Sequence, residues 1–331
     1  MRRQLIVIGC LLLALIAAPL GAARAQDGLS PEQQGAVDSA RRAVEGFFAL
    51  DTYTVNHTQS MAQAINVSLA GEGITIDQQI DQQGATTTDR QGDNRFDNQS
   101  STLDQTLTQT LRSADGAQEQ SVTVEQTLEM VVVDDRAYLR VSSEDPMLAS
   151  AFPEGWHDIT QGAEAFPGME MYDIEQLLST TSTAFTAEMF TVLFDAIAEV
   201  EMLEPETVDG MTAERVRLVL DPELAFSGEG AAGLREMFNS AALPLDVEGI
   251  IDLIFTDDDT YYEITLLFGA DDETLYGYDV ILNMDIDIPG EMVTDPSLAG
   301  AEMSLAQDSE SSLRFTNLNE PAAISAPELE E

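Results

Sequence analysis

The chain has 331 residues, of which 60 are acidic and 14 basic, for a formal net charge of −46. Every basic residue is an arginine, and that balance excludes nucleic acid as a partner, because phosphate backbones are repelled at any distance. The 44% hydrophobic content, regularly alternating along the chain, excludes disorder.

Residues 1–25 read as a signal peptide. Arg2 and Arg3 give the positive start, Leu5–Pro19 the apolar run, and Ala23-Arg24-Ala25 a small-x-small cleavage site before Gln26. The run is too short for the roughly 20 residues that span a bilayer. Removing it leaves 60 acids against 11 arginines, a net −49, in a secreted or periplasmic protein. The lone Cys10 lies inside the leader, with too few apolar residues before it to make a lipidation signal. The mature chain therefore has no disulfide and depends on its core. We expect one domain over 26–327 and a short acidic tail over 328–331.

Ser30-Pro31-Glu32-Gln33 is a capping-box start, and Val37, Ala40, Val44, Phe47 and Phe48 follow at helical spacing, which predicts a helix over 31–50. After Asp51 the period changes to two, with Tyr53, Val55 and His57, then Ile74 and Ile76, facing one way. From Gln78 to Gln120 the chain is rich in Gln and Thr. There Leu103, Leu107 and Leu111 recur every four residues, which fits a helical stripe or a strand with alternate inward positions polar. The threonine content favours long, weakly apolar strands.

From residue 121 the pattern is clearer. Val122, Val124, Leu128, Met130 and Val132 alternate with Thr123, Glu125, Thr127 and Glu129. Asp134-Asp135, Asp209-Gly210, Asp257-Asp258-Asp259 and Asp271-Asp272 punctuate alternating runs as hairpin turns, which predicts an antiparallel sheet. Apolar helices are expected within Asp173–Phe194 and around Leu234–Phe238. Closing strands are expected at Ile250–Phe255, Tyr262–Phe268, Tyr276–Ile288 and near Leu313–Leu318. The fold class is α+β: a large curved antiparallel sheet, a half-barrel, covered on its concave face by a few helices.

Four passages carry a family resemblance: Val131–Tyr138 followed by Glu154-Gly155-Trp156; Met171–Leu178; Glu206–Val216 with its Val208-Asp209-Gly210 hairpin; and Phe315–Pro327 with its terminal Ala-Pro. In this order they make the chain resemble the LppX/LprG family of exported lipoproteins, whose fold is shared with the LolA and LolB lipoprotein carriers. The resemblance implies a half-barrel holding a lipid or acyl chain in an apolar cavity. It brings no catalytic signature to carry over, and the lipidated cysteine usual in the family is absent from the start of this mature chain.

The residues themselves offer a lining on the apolar parity of the strands: Val122, Val124, Leu128, Met130, Val132, Val216, Leu218, Leu220, Leu253, Phe255, Leu266, Phe268, Leu282 and Met284. Leu177, Leu178, Phe190 and Phe194 would form a lid. The competing reading of each is an ordinary filled core. His57 and His157 are the only imidazoles, and His157 next to Asp158 on a strand would point to the opposite face. No Gly-x-Ser-x-Gly elbow, mature thiol or His-x-x-x-His spacing occurs. Asp257–Asp259, and Asp285 with Asp287, lack the Gly-turned loop of a calcium site. The expected activity is non-enzymatic, with no cofactor or metal: an apolar ligand, with a membrane or acceptor protein as transfer partner. The alternative is a structural or adhesive surface protein with a filled core.

Overall fold

A computed structural model describes residues 29–69, 72–90, 97–113, 119–143, 154–160, 190, 193–208, 210–221, 260–292 and 301–329. The leader and most of the segments expected as covering helices lie outside them, as do Leu253 and Phe255.

Helix α1 (Pro31–Phe48) starts as its sequence dictates. Ser30 Oγ accepts from the Gln33 amide, Gln33 Oε1 accepts from the Ser30 amide at 2.9 Å, and Pro31 occupies the first turn. Its buried stripe is Ala36, Val37, Ala40, Ala43, Val44 and Phe47. Three alanines in that stripe let the helix lie close to the strands beneath.

The remaining described structure is mostly strand: β1 (Thr52–Leu69), β2 (Glu72–Asp89), β3 (Asn98–Ser113), β4 (Glu119–Val133), β5 (Arg136–Ser143), β6 (His157–Asp158), β7 (Ile197–Val208), β8 (Met211–Leu220), β9 (Tyr261–Gly269), β10 (Leu275–Ile288) and β11 (Glu302–Thr316). They form one antiparallel sheet in the order β6-β5-β4-β3-β2-β1-β11-β10-β9-β8-β7. Two meanders, β1 to β6 and β7 to β11, are thus joined where β1 pairs with β11, from Thr54 opposite Thr316 to Ser68 opposite Glu302. The β4–β5 hairpin turns through Asp134 (φ 51°) and Asp135 (φ 58°), the double left-handed conformation that suits the strand twist.

The Gln/Thr-rich stretch forms strands, as its threonines predict. The last strand departs from expectation: it begins at Glu302, well before Leu313. Its inward positions include Gln307, Ser309 and Ser311, so the apolar alternation that announces a strand fades although the ladder continues.

α1 packs on the sheet face that carries Val216, Leu266, Tyr278, Val280 and Phe315, called here the inner face. The outer face carries hydroxyl, amide and acidic side chains that bridge neighbouring strands. Examples are Ser60 to Asp81 at 2.7 Å, Thr127 to Asp104 at 2.7 Å and Thr110 to Ser121 at 3.0 Å. The chain beyond β11 returns over the outer side: Asn317 Nδ2 donates to Thr54 Oγ1, the Asn319 amide donates to the Thr52 carbonyl, and Ile324 packs with Val131, Val133, Tyr138 and Trp156.

Gly84 is fixed by close approach. A Cβ on Gly84 would lie 2.3 Å from the Thr102 carbonyl oxygen and 2.6 Å from His57 Cε1. Gly84→Ala is therefore expected to cost about 1–3 kcal/mol in urea unfolding. Gly35→Ala, on α1 with nothing within 4 Å of its Cβ, should instead stabilise by about 0.5–1 kcal/mol. Equal effects at the two sites would refute the steric account.

Candidate ligand-binding face

The sequence-predicted lining divides into groups. Val216, Leu218, Leu220, Leu266, Phe268 and Leu282 join Phe190 and Phe194 in one packed cluster with α1, Val55, Leu313 and Phe315. Phe190 meets Phe48 at 6.0 Å and Tyr278 at 5.5 Å between ring centroids. The Arg41 guanidinium sits 5.0 Å from the centre of the Phe194 ring. These eight are packed against protein. Met130, Val132 and Met284 are also buried, farther along the inner face. Val124 and Leu128 are half-buried, and Val122, at 47% exposure, is open. Leu177, Leu178, Leu253 and Phe255 lie outside the described residues.

Register shows what sequence parity could not: inner residues of neighbouring strands line up in rows across the sheet. One row runs Val124, Leu107, Ile80, Met61, Ser309 and Leu282. The next row runs Gln126, Gln105, Gln82, Gln59 and Ser311, and another runs Val122, Gln109, Gln78, Gln63, Gln307 and Met284. Beyond that, Leu111, Ile76, Ile65, Leu305 and Ile286 are again apolar. Apolar and glutamine rows therefore alternate, with successive glutamine rows about 13 Å apart along the strands. Burial falls along these rows: Met61, Ile65, Ile76 and Ile80 are buried, whereas Leu103, Leu107 and Leu111 on β3 are only half-buried. Sequence reading noted the three leucines without assigning them to a site. Their spacing of four, with glutamine between, is the mark of this striped wall.

Charge is sorted by face. Apart from Glu72, the first residue of β2, opposite Leu69, the described inner positions of β1 to β4, β10 and β11 carry no aspartate, glutamate or arginine, despite the composition of the chain. Each described arginine instead meets a carboxylate. Across the outer face Arg314 meets Asp279 at 2.7 Å, Arg112 meets Asp77 at 3.0 Å, Arg217 meets Glu201 at 2.7 Å, and Arg140 pairs with Glu129. Arg42 on α1 reaches Glu273 at 2.7 Å, which raises the guanidinium pKa and lowers that of the carboxyl. Asp158 likewise pairs with Arg136 rather than with its neighbour His157, and its hydrogen bonds from Thr160 and Arg136 outweigh desolvation to hold its pKa down. Asp285 and Asp287 are exposed on β10, and no cluster of potential metal ligands occurs among the described residues.

His57 is a histidine on the inner face of β1. Burial pushes its pKa below the ordinary value, and Nδ1 is buried with no hydrogen-bond partner. The folded chain therefore takes up this proton less readily than the unfolded chain. Its stabilising contribution is complete above about pH 6.5 and declines as pH falls below that value toward the depressed folded pKa. His57→Leu should accordingly lose less stability than wild type between pH 7.5 and 5.5 in urea titrations. Parallel losses in the two proteins would overturn this assignment.

No protein-family model and no curated protein matches the sequence. Among solved structures, LprF from Mycobacterium bovis aligns over 94% of this chain and 99% of its own at 11% identity, with a TM-score of 0.35. LppX from Mycobacterium tuberculosis, a lipoprotein, aligns over 88% and 99% at 9% identity, TM-score 0.32. An outer membrane lipoprotein-sorting protein domain from Vibrio parahaemolyticus aligns over 86% and 93% at 11% identity, TM-score 0.19. These are proteins of the LppX/LprG and lipoprotein-sorting kind that the sequence resembles. At such scores the likeness carries no functional argument, so function is argued from the chain's own residues.

Proposed function

We propose that this chain is an extracytoplasmic, non-enzymatic binding protein that holds a lipid or acyl chain against the inner face of its sheet and passes it to a membrane or acceptor protein. The mature domain would comprise residues 26–327, with the sheet curved as a half-barrel and the chain's helices covering its concave side. The observation that carries this reading is the apolar surface on β3 and β4. Leu103, Leu107, Leu111, Val122, Val124 and Leu128 face inward there, none is fully buried, and no charged side chain stands among them. An ordinary core would bury them, and an ordinary solvent face would not be apolar.

The mechanism is passive. An acyl chain laid along an apolar row gains about 0.8 kcal/mol for each methylene it removes from water. The buried residues Met130, Val132 and Met284 would form the deeper part of the wall, while Val122, Val124 and Leu128 would line the entrance. Outer-face carboxylates, with the described arginines each paired to one, would keep the loaded protein off anionic membrane surfaces between transfers.

The competing reading, a structural or adhesive protein with a filled core, is favoured by one observation: eight of the predicted site residues already pack with α1 or its neighbours. Mass spectrometry of an organic extract of the mature protein, purified gently, separates the two. Stoichiometric lipid above a matched control protein is expected. An empty extract, together with failure of the delipidated protein to take up any acyl compound, would sink the carrier reading.

A further inference from the structure

Gln63 on β1 and Gln307 on β11 face each other in the glutamine row described above, and they are 3% and 1% exposed. Gln63 Nε2 donates to Gln307 Oε1 at 3.1 Å. That bond uses one donor and one acceptor of the pair. It leaves Gln63 Oε1 and Gln307 Nε2 buried without a hydrogen-bond partner. Exchanging the oxygen and nitrogen positions in both amides gives the same result, with one acceptor and one donor unfilled. Buried amides are ordinarily satisfied, so two adjacent vacant valences of opposite sense are a specific feature.

The surroundings define what could fill them. Along β1 the pair is flanked by Met61 and Ile65, along β11 by Leu305 and Ser309, and across the sheet by Gln78 and Met284. No charged group belongs to this part of the inner face. A carboxylate or phosphate would find no cation here and would offer only acceptors, leaving Gln63 Oε1 unfilled. A methylene chain would fill neither valence. A hydroxyl satisfies both, because its hydrogen can be donated to one amide oxygen while its own oxygen accepts from the other amide's N–H.

We infer that Gln63 and Gln307 form a polar fastener within the apolar wall, selecting an uncharged acyl ligand that bears a hydroxyl group. This deepens the carrier reading and rests on it. The apolar rows supply general affinity for chains, and the amide pair sets which chain is retained and where its polar group comes to rest. Two other glutamine pairs of the inner face are less deeply placed. Gln82 Nε2 donates to Gln59 Oε1 at 2.7 Å, and Gln126 Nε2 donates to Gln105 Oε1, in places that are only part-buried.

The test compares ligands that differ at one group, using delipidated full-length mature protein and displacement of a fluorescent acyl probe. The ligands are 1-hexadecanol, hexadecane and palmitate. The expected order is hexadecanol ahead of hexadecane by about tenfold or more, since a site built to hydrogen-bond a hydroxyl rejects the analogue lacking it, with palmitate no better than hexadecane. In the double variant Gln63→Leu/Gln307→Leu the preference should vanish while hexadecane affinity stays the same. The variant Gln63→Met/Gln307→Met repeats the measurement with unbranched side chains in case the leucines misfit, and thermal unfolding checks that each variant is folded. Equal binding of hexadecanol and hexadecane by wild type would overturn the fastener while leaving the carrier reading standing. So would a preference that survives in both variants, which would place recognition of the hydroxyl elsewhere on the protein. Binding of none of the three ligands would overturn both.

Discussion

Phe315→Ala is expected to remove about 3–5 kcal/mol of stability, the usual cost of truncating a buried aromatic residue in a packed core. Phe315 is 5% exposed on β11, next to the join between the two meanders. Its ring stacks on Phe47 of α1 at 4.1 Å between centroids, 24° from parallel, and meets Tyr278 at 5.8 Å. Val55 faces it across the β1–β11 ladder. One side chain thus ties the helix to both halves of the sheet. The cavity left behind is framed by backbone that is hydrogen-bonded on both sides and cannot collapse around it. Chemical denaturation with near-ultraviolet circular dichroism would show the lost stability and the weakened aromatic signal together. A loss below about 1 kcal/mol would mean that α1 docks through other contacts.

Val124→Glu is expected to have the opposite profile, sparing the fold and abolishing uptake. Val124 is half-buried on β4, opposite Leu107, so a carboxylate there can still reach solvent when the wall is empty. Stability should change by no more than about 1 kcal/mol. An acyl chain laid over the same row would have to desolvate that carboxylate with no cation near it, which should cut bound lipid by about tenfold or more. Thr123→Glu, one residue away on the outer face, adds the same charge and should leave lipid content unchanged. Equal lipid content in the two variants would remove β4 from the proposed ligand surface.

The two faces of the sheet were legible in the sequence to different degrees. Turn chemistry was plain: Asp134-Asp135 takes the left-handed conformation its position calls for, and the Ser30–Gln33 box opens α1 where it should. Those signals are local, carried by residues that contact their own backbone. The β2–β3 region was harder because alternate inward positions hold glutamine, which weakens a period of two into a period of four. β11 was read short for the same reason, since Gln307, Ser309 and Ser311 interrupt its apolar positions. The candidate site was legible only as a parity. An inward valine looks identical in sequence whether α1 or a ligand will cover it. The distinction between Val216, fully buried in the helix-covered cluster, and Val124, half-open beyond it, depends on which strands the helix overlies. The Gln63–Gln307 pair needs the register of strands separated by most of the chain, which no local pattern encodes.

The β1–β11 pairing also sets a timetable. β1 is the earliest described strand and β11 the latest, yet they are neighbours in the middle of the sheet. Each meander can assemble from consecutive strands as it is made, but one long edge of β1 must wait for residues 302–316. At translation rates of about 5–20 residues per second, the roughly 230 intervening residues keep that edge open for about 10–50 s. β1 contains no lysine, arginine, aspartate, glutamate or proline, the usual guards against edge-to-edge pairing. The nascent chain is therefore most vulnerable to self-association in the interval before its final strand arrives, and a truncation that removes β11 would make that interval permanent.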